Sequence, residues 1–331
     1  MRITRRRTLA LALTAAAAAW IGVRRGSAAE PYDGPFVDAH SHLRAGLTPS
    51  IDELIALYDG AGVRGAMVFG EPWPLATDAR DRYPERVVPF LAEGYANAVH
   101  PDSSYVHPEG LDQLLGGGFV RGLGEIILRH SPFQLGAAGG YASAPANNVP
   151  ADHPALIEAY RRAGRYGAPV NVHQESFFAE ELERAVRAAP DTTFVWAHAG
   201  HGPANVVRGV LERNPNVMAD LSARTPWIGP GTVLLGPGGG LEPGWSALLN
   251  DFPDRFMVGL DLFAPAHYQA AYVNPMVAYY RALLGQLDPA VAGVVGYANA
   301  ERIAPFGAGD PAWDARRAIT AARSRRGRAS P

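Results

Sequence analysis

The sequence predicts an α/β chain folded as a (β/α)8 TIM barrel, slightly distorted and in a single domain. Three observations carry this. Short apolar runs alternate with helical stretches, which is the pattern of βα units and a parallel sheet. Eight such runs can be counted. Behind a leader-like N-terminus about 300 residues remain, and that suits one such barrel, typically about 250 residues long, better than two small domains.

The first element is the leader. Residues 1–29 hold Arg5-Arg6-Arg7, then an alanine-rich apolar stretch, then the small residues Gly26-Ser27-Ala28-Ala29. That is the order of a secretory signal. Thr4-Arg5-Arg6 with Leu9 resembles a twin-arginine signal, which exports proteins already folded. An uncleaved anchor would need about 20 apolar residues, and Arg24-Arg25 interrupt the stretch. The expectation is cleavage near Ala29 and export to the periplasm or beyond, with the export machinery as a partner and no stable membrane insertion afterwards.

The strands follow in order at 36–39, 65–69, 87–92, 120–126, 169–173, 193–197, 217–221 and 256–260. Each is short and rich in Val, Phe, Ile or Ala, as strands buried on both faces should be. Helices are expected at 50–59 behind a Ser50 cap, and at 155–166, 179–188, 203–213, 245–250 and 277–287. An open doubly wound sheet would need a glycine-rich fingerprint after its first strand, and here that strand runs into His40-Ser41-His42. Two Gly/Pro-rich stretches, 131–154 and 229–244, fall after strands four and seven. They would lie on the face where barrel active sites form, as lids or as plain insertions. The barrel is expected over 30–309, and 310–331 reads as a poorly ordered basic tail.

Composition removes several chemistries. There is no cysteine, so a metal must be held by His and carboxylate ligands. All 30 basic residues are arginine, which excludes a Schiff base, a lysine base and a carboxylated-lysine ligand. Six arginines lie in the leader and six in 316–328, which leaves 18 against 32 acids between them. So acidic a body is a poor partner for nucleic acid. A small molecule is the expected substrate, and a homo-oligomer is compatible with the sequence.

The chemistry-bearing residues stand at strand ends. His40 and His42, two apart on a strand, point the same way. Glu125 closes the fourth run, His173 the fifth, His198 the sixth and Asp261 the eighth. Singly, each has a plainer reading: a buried acid paired with Arg121 or Arg129, a hydrogen-bonded core histidine, a turn aspartate. Together they gather at one barrel mouth, and that points to a metal site.

The segments VDAHSHL, GLGEI, VNVH, VWAHAG and VGLD, followed by NAERIA at 299–304, resemble the amidohydrolase superfamily, more closely its amidohydrolase-related branch. The resemblance spans 36–305. It implies that His40, His42 and Asp261 hold a buried metal and that His173 and His198 hold a second. Glu125 then bridges them where many members use a carboxylated lysine. Glutamate bridging of this kind resembles TatD-type hydrolases and some phosphotriesterases. In single-metal members, His198 would instead be a catalytic base or electrostatic helper. The implied cofactor is one or two divalent ions, Zn²⁺ expected and two preferred. Such an ion lowers the pKa of its water to about 7, and Asp261 would take the proton and pass it to the leaving group. The implied reaction is hydrolysis of a small amide, ester or lactone.

Two alternatives remain, a mononuclear decarboxylase of the same superfamily and a non-catalytic exported binding protein. A TatD-like nuclease is disfavoured by the acidic body. Arg224, His130 and His201 are expected substrate contacts. Arg129, Gln174 and Glu175 are further candidates, for substrate contact or for structural or outer-sphere roles, and Trp73 and Trp227 are candidates for lining the pocket.

Overall fold

A computed structural model describes residues 29–93, 98–130, 148–228 and 230–307. The leader before residue 29, the greater part of the 131–154 stretch and the tail from 308 lie outside the described residues.

The eight strands all form. They are β1 Val37–Arg44, β2 Gly65–Glu71, β3 Val87–Leu91, β4 Gly122–Ile127, β5 Val170–His173, β6 Phe194–Trp196, β7 Val217–Asp220 and β8 Phe256–Met257. They pair in sequence order, every pair parallel. The barrel closes between its first and last strands. Ala39 N–H donates to Val258 O, His42 N–H to Leu262 O and Asp261 N–H to His40 O. The chain is thus a distorted (β/α)8 barrel, as its run pattern predicts.

Among the described residues, eight helices of nine residues or more cover the outside: α1 Ile51–Ala61, α2 Pro74–Arg82, α3 Pro108–Gly116, α4 Pro154–Arg165, α5 Ala179–Ala188, α6 Ala204–Arg213, α7 Pro243–Asp251 and α8 Ala270–Leu284. Ser50 caps α1 in a capping box with Glu53, as its sequence signals. Two helices, α2 and α3, go beyond expectation. Both are short and start on proline, which tolerates the first helical turn. The buried side of α2 includes Thr77 and Arg80, so no apolar stripe announces it. None of these helices is long and apolar enough to cross a membrane.

The barrel interior is filled at its lower end by Val37, Ala39, Met67, Phe69, Val88 and Phe90, with Ala300 and Ala304 beneath them. A strict pleat would send His40 to the other face from Ala39 and Val37. A register shift between Asp38 and Ser41 resets the alternation, as a bulge does. His40 and His42 then enter the barrel above the apolar plug. Strand β8 is shorter than the expected 256–260 because a side chain replaces the ladder: Asp38 Oδ1 accepts from Leu260 N–H at 2.8 Å. The 229–244 stretch, where described, is a packed turn. Leu234 and Leu235 are buried and donate their N–H groups to Tyr279 Oη.

Candidate metal centre

The six strand-end residues converge. Glu125 lies within β4, His173 ends β5, His198 comes two residues after β6, and Asp261 comes four after β8. Glu125 divides its carboxylate. Its Oε2 lies 3.7 Å from His40 Nε2 and 3.4 Å from His42 Nε2. Its Oε1 lies 2.8 Å from His173 Nδ1 and 3.1 Å from His198 Nε2. Asp261 Oδ1 completes the first side, 3.6 Å from His40 Nε2 and 3.5 Å from His42 Nε2. Two donor sets result, His40–His42–Asp261 and Glu125–His173–His198, each compact enough for one ion.

The opposite ring nitrogen of each of these four histidines meets an oxygen. His40 Nδ1 is 3.0 Å from Asp220 Oδ2, His42 Nδ1 3.1 Å from Glu71 Oε1, His198 Nδ1 2.8 Å from Ser222 Oγ, and His173 Nε2 3.5 Å from Glu175 Oε1. Such outer partners fix which nitrogen keeps the proton and which offers a lone pair. Sequence reasoning missed Glu71, Asp220 and Ser222. A signal existed for two of them: Glu71 and Asp220 end strands two and seven, as acids placed like Glu125 and Asp261.

The turn carrying His198 is left-handed. His198, Ala199, Gly200 and His201 have φ of 56°, 46°, 57° and 51°, a region costly for residues with a Cβ. The surroundings over-determine it. Asp220 Oδ1 accepts from His198 N–H at 3.0 Å. Arg224 donates through Nη1 to His198 O and through Nη2 to Gly202 O, and its guanidinium stacks on Trp245 at 4.4 Å. This corrects the expected role of Arg224. Ala223, at φ 54°, turns the chain there, and the buried guanidinium braces the His198 turn outside the pocket formed by the histidines. Trp73 and Trp227 likewise pack elsewhere, against Phe119 and Tyr279.

That pocket is lined by His42, Glu125, His173, His198 and Asp261, and by Arg44, His130, His201 and the apolar Ile127, Ile228 and Phe263. Two of the three expected substrate contacts, His130 and His201, therefore face it. Arg44 at its edge is held by Glu71 Oε2 at 2.7 Å.

The electrostatics fit a cation. Burial alone would depress the His42 pKa, but Asp261, Glu125 and Glu71 outweigh it and hold the ring up at about 10. Burial and Glu125 oppose each other in the same way at His173, also held at about 10. Burial would raise Asp261, yet His42 and His40 keep it down at about 2. Without metal, then, protons must neutralise these acids, and a dication does the same work. One further observation fits. His40 Nε2 is fully buried with no hydrogen-bond partner, between carboxylate oxygens too far for a hydrogen bond and correctly placed to share an ion. The donors are imidazole and carboxylate, the set that zinc and similar divalent ions take.

Comparisons with known proteins agree with the fold. The sequence model of a family described as amidohydrolase matches residues 117–317. No curated protein matches at a significant level. Among solved structures, a zinc-bound amidohydrolase from Burkholderia multivorans is similar, with TM-score 0.54 and 17% identity over 83% of this chain and 100% of its own. A probable 2-pyrone-4,6-dicarboxylic acid hydrolase from Acinetobacter baumannii gives 0.54 and 12%, over 82% and 99%. The 5-carboxyvanillate decarboxylase of Sphingomonas paucimobilis gives 0.51 and 12%, also over 82% and 99%. At such identities the likeness is one of fold.

Proposed function

The chain belongs to the amidohydrolase family, and from that premise we propose that its metal-dependent catalysis on a small organic molecule is hydrolysis of an amide, ester or lactone at two divalent cations bridged by Glu125. The carrying observation is the division of the Glu125 carboxylate between two pairs of imidazoles. Charge supports it. Glu125, Glu175, Asp220 and Asp261 are buried around the site, and their ion-pair contacts are all to histidine. Two dications balance four such carboxylates; with one, the remaining two charges fall to protons on the imidazoles, as in the metal-free site. The nearby Asp38 is kept apart on Tyr58 Oη and two backbone N–H groups.

His40, His42 and Asp261 would hold one ion, and His173 and His198 the other. Bound there, such ions make water acidic enough to act as a nucleophile near neutral pH and polarise a carbonyl oxygen. Asp261 has one oxygen turned on His40 and His42, and its other oxygen would take the proton of the attacking water and pass it to the leaving group. His201 and His130 would contact the substrate, His130 by accepting a hydrogen bond at Nε2, since its Nδ1–H donates to Glu175 Oε1. Burial pushes both rings down, His201 to about 4, so they act as neutral imidazoles. Ile127, Ile228 and Phe263 would receive the apolar part of the substrate.

Decarboxylation at a single cation is the second reading, and the fold likeness to 5-carboxyvanillate decarboxylase favours it. His198 would then be a free base. Metal content separates the two, together with a screen that follows both hydrolysis products and carbon dioxide. Two ions per chain and hydrolysis support the first reading; one ion and carbon dioxide release support the second. If Asp261→Asn and Glu125→Gln both keep full metal and full activity, neither reading survives.

Export rests on the leader alone. Residues 1–29 support a twin-arginine route, with the barrel over 30–309 as the exported unit and Zn²⁺ as its ion. Cell fractionation of the full chain against an Arg5→Ala, Arg6→Ala variant tests this, and unchanged export would exclude that route.

A further inference from the structure

We propose that Glu175 is a positioning residue of the metal centre: it makes His173 offer Nδ1, where the other three histidines offer Nε2, and it ties that ligand to the two imidazoles facing the substrate pocket. The inference rests on the two-cation reading above and deepens it.

Three of the four histidines turn Nε2 inward and leave Nδ1 to Asp220, Glu71 or Ser222. His173 is reversed, with Nδ1 2.8 Å from Glu125 Oε1. A neutral imidazole carries one N–H and one lone pair. Nδ1 can offer its lone pair only if the proton stays on Nε2, and a proton there needs an acceptor. Glu175 Oε1 is the acceptor within reach, at 3.5 Å.

Glu175 is built to serve. It is 0% exposed, and its own N–H donates to Arg129 O at 3.1 Å. The Arg129 guanidinium is committed elsewhere, to Glu181 and Asn148. The charge of Glu175 is therefore met by imidazoles. His130 Nδ1 lies 3.1 Å from Oε1 and His201 Nδ1 3.5 Å from Oε2. His201 stacks on His198, with ring centroids 4.9 Å apart, and neither of its ring nitrogens has a hydrogen-bond partner. One buried carboxylate thus sets the ring of a cation ligand and stands behind both pocket-facing histidines.

A competing reading makes Glu175 a ligand itself, since donor atoms of His130, His173 and Glu175 also lie close together. With His173 also holding the ion beside Glu125, that would require it to bind through both ring nitrogens and give up both protons. The positioning role needs only the ordinary neutral ring.

The test compares wild type with Glu175→Gln, which keeps the shape and removes the charge. Metal-free protein is titrated with Zn²⁺ against a chelating indicator, and with Co²⁺ followed by its absorption spectrum. Wild type should bind two ions. Glu175→Gln should bind one with unchanged affinity and the other about 10–100-fold more weakly, the usual effect of losing an outer-sphere partner. The Co²⁺ spectrum of the weakened site should change and that of the other should not. The unchanged ion is also the control for folding. Two ions bound as tightly as in wild type overturn the proposal alone. Equal loss at both sites, with a lowered melting temperature, makes Glu175 merely structural and also overturns it. A third equivalent in wild type that disappears in Glu175→Gln makes it a ligand and overturns it too. Wild type that binds no ion, or one, removes the two-cation reading and this proposal with it.

Discussion

Asp220 Oδ2 lies 3.0 Å from His40 Nδ1, with both side chains wholly buried. Asn171 donates to the same oxygen at 2.9 Å, and the other oxygen accepts from the backbone N–H groups of His198 and Ser222. One carboxylate thus links β1, β5, β7 and the turn after β6. Neither its Oδ1 nor its Oδ2 faces a ring nitrogen of the inner cluster that is turned on Glu125 or Asp261, so its role is to set the rings.

Asp220→Asn should therefore leave the fold intact but loosen the centre. Hydrogen bonds to a charged group are each worth about 1.5–3 kcal/mol, and a loss of that order in urea unfolding is expected. Cation affinity should fall by about 10–100-fold. Unchanged affinity, measured by competition with a chelator, would show that the His40 ring is fixed by other contacts.

Glu125→Gln removes one charge from the point that both imidazole pairs share. The expected result is a chain that keeps one ion and loses more than about 100-fold in turnover, a larger effect than for an outer partner. His40, His42 and Asp261 still surround the remaining ion, so elemental analysis should give one equivalent. A variant that binds two ions as tightly as wild type would mean that Glu125 does not bridge.

The barrel was legible because strands buried on both faces are written as unbroken apolar runs. Helices α2 and α3 were not, since the buried side of α2 includes the polar Thr77 and Arg80 and α3 buries only Leu111 and Leu115, too few for an apolar stripe. The early end of β8 was not legible either, because nothing local says that Asp38, more than 200 residues away, takes the Leu260 N–H. At the site, position along a strand told which side chains reach the mouth. It could not tell which ring nitrogen of a histidine faces inward, because that depends on partners from other strands, as with Glu71 for His42. Arg224 misled for a related reason. Its place after β7 puts it near the mouth, but the positive φ at Ala223 and the carbonyls of the His198 turn draw its guanidinium away.

Chelation should lower stability markedly. Four buried carboxylates share this small volume, and without dications they are balanced only by protons on the histidines. A ligand at about 1,000 times its dissociation constant stabilises the native state by about 4 kcal/mol. Stripping the protein should drop the thermal midpoint by several degrees, and adding Zn²⁺ back should restore it. A midpoint indifferent to chelator, in protein shown by elemental analysis to have lost its metal, would contradict the charge argument.

Gly200 tests the left-handed turn itself. It sits at φ 57°, between Ala199 and His201, and a Cβ there would stand 2.1 Å from the Trp196 ring. That ring cannot easily move, since Trp196 is fully buried and its Nε1–H donates to Gln174 O at 2.6 Å. Gly200→Ala therefore meets two penalties, a left-handed backbone of about 1–2 kcal/mol and an overpacked contact of about 1–3 kcal/mol. The expected loss is about 2–5 kcal/mol in denaturant unfolding. Because His198 lies two residues before, the ion shared by His173 and His198 should weaken before the ion of His40, His42 and Asp261. Gly46→Ala is the control. That glycine also has a positive φ, of 72°, but its Cβ would meet nothing within 4 Å, so only the backbone penalty applies and both ions should stay. If the two variants behave alike, the Trp196 ring yields to the added Cβ and the overpacking argument fails.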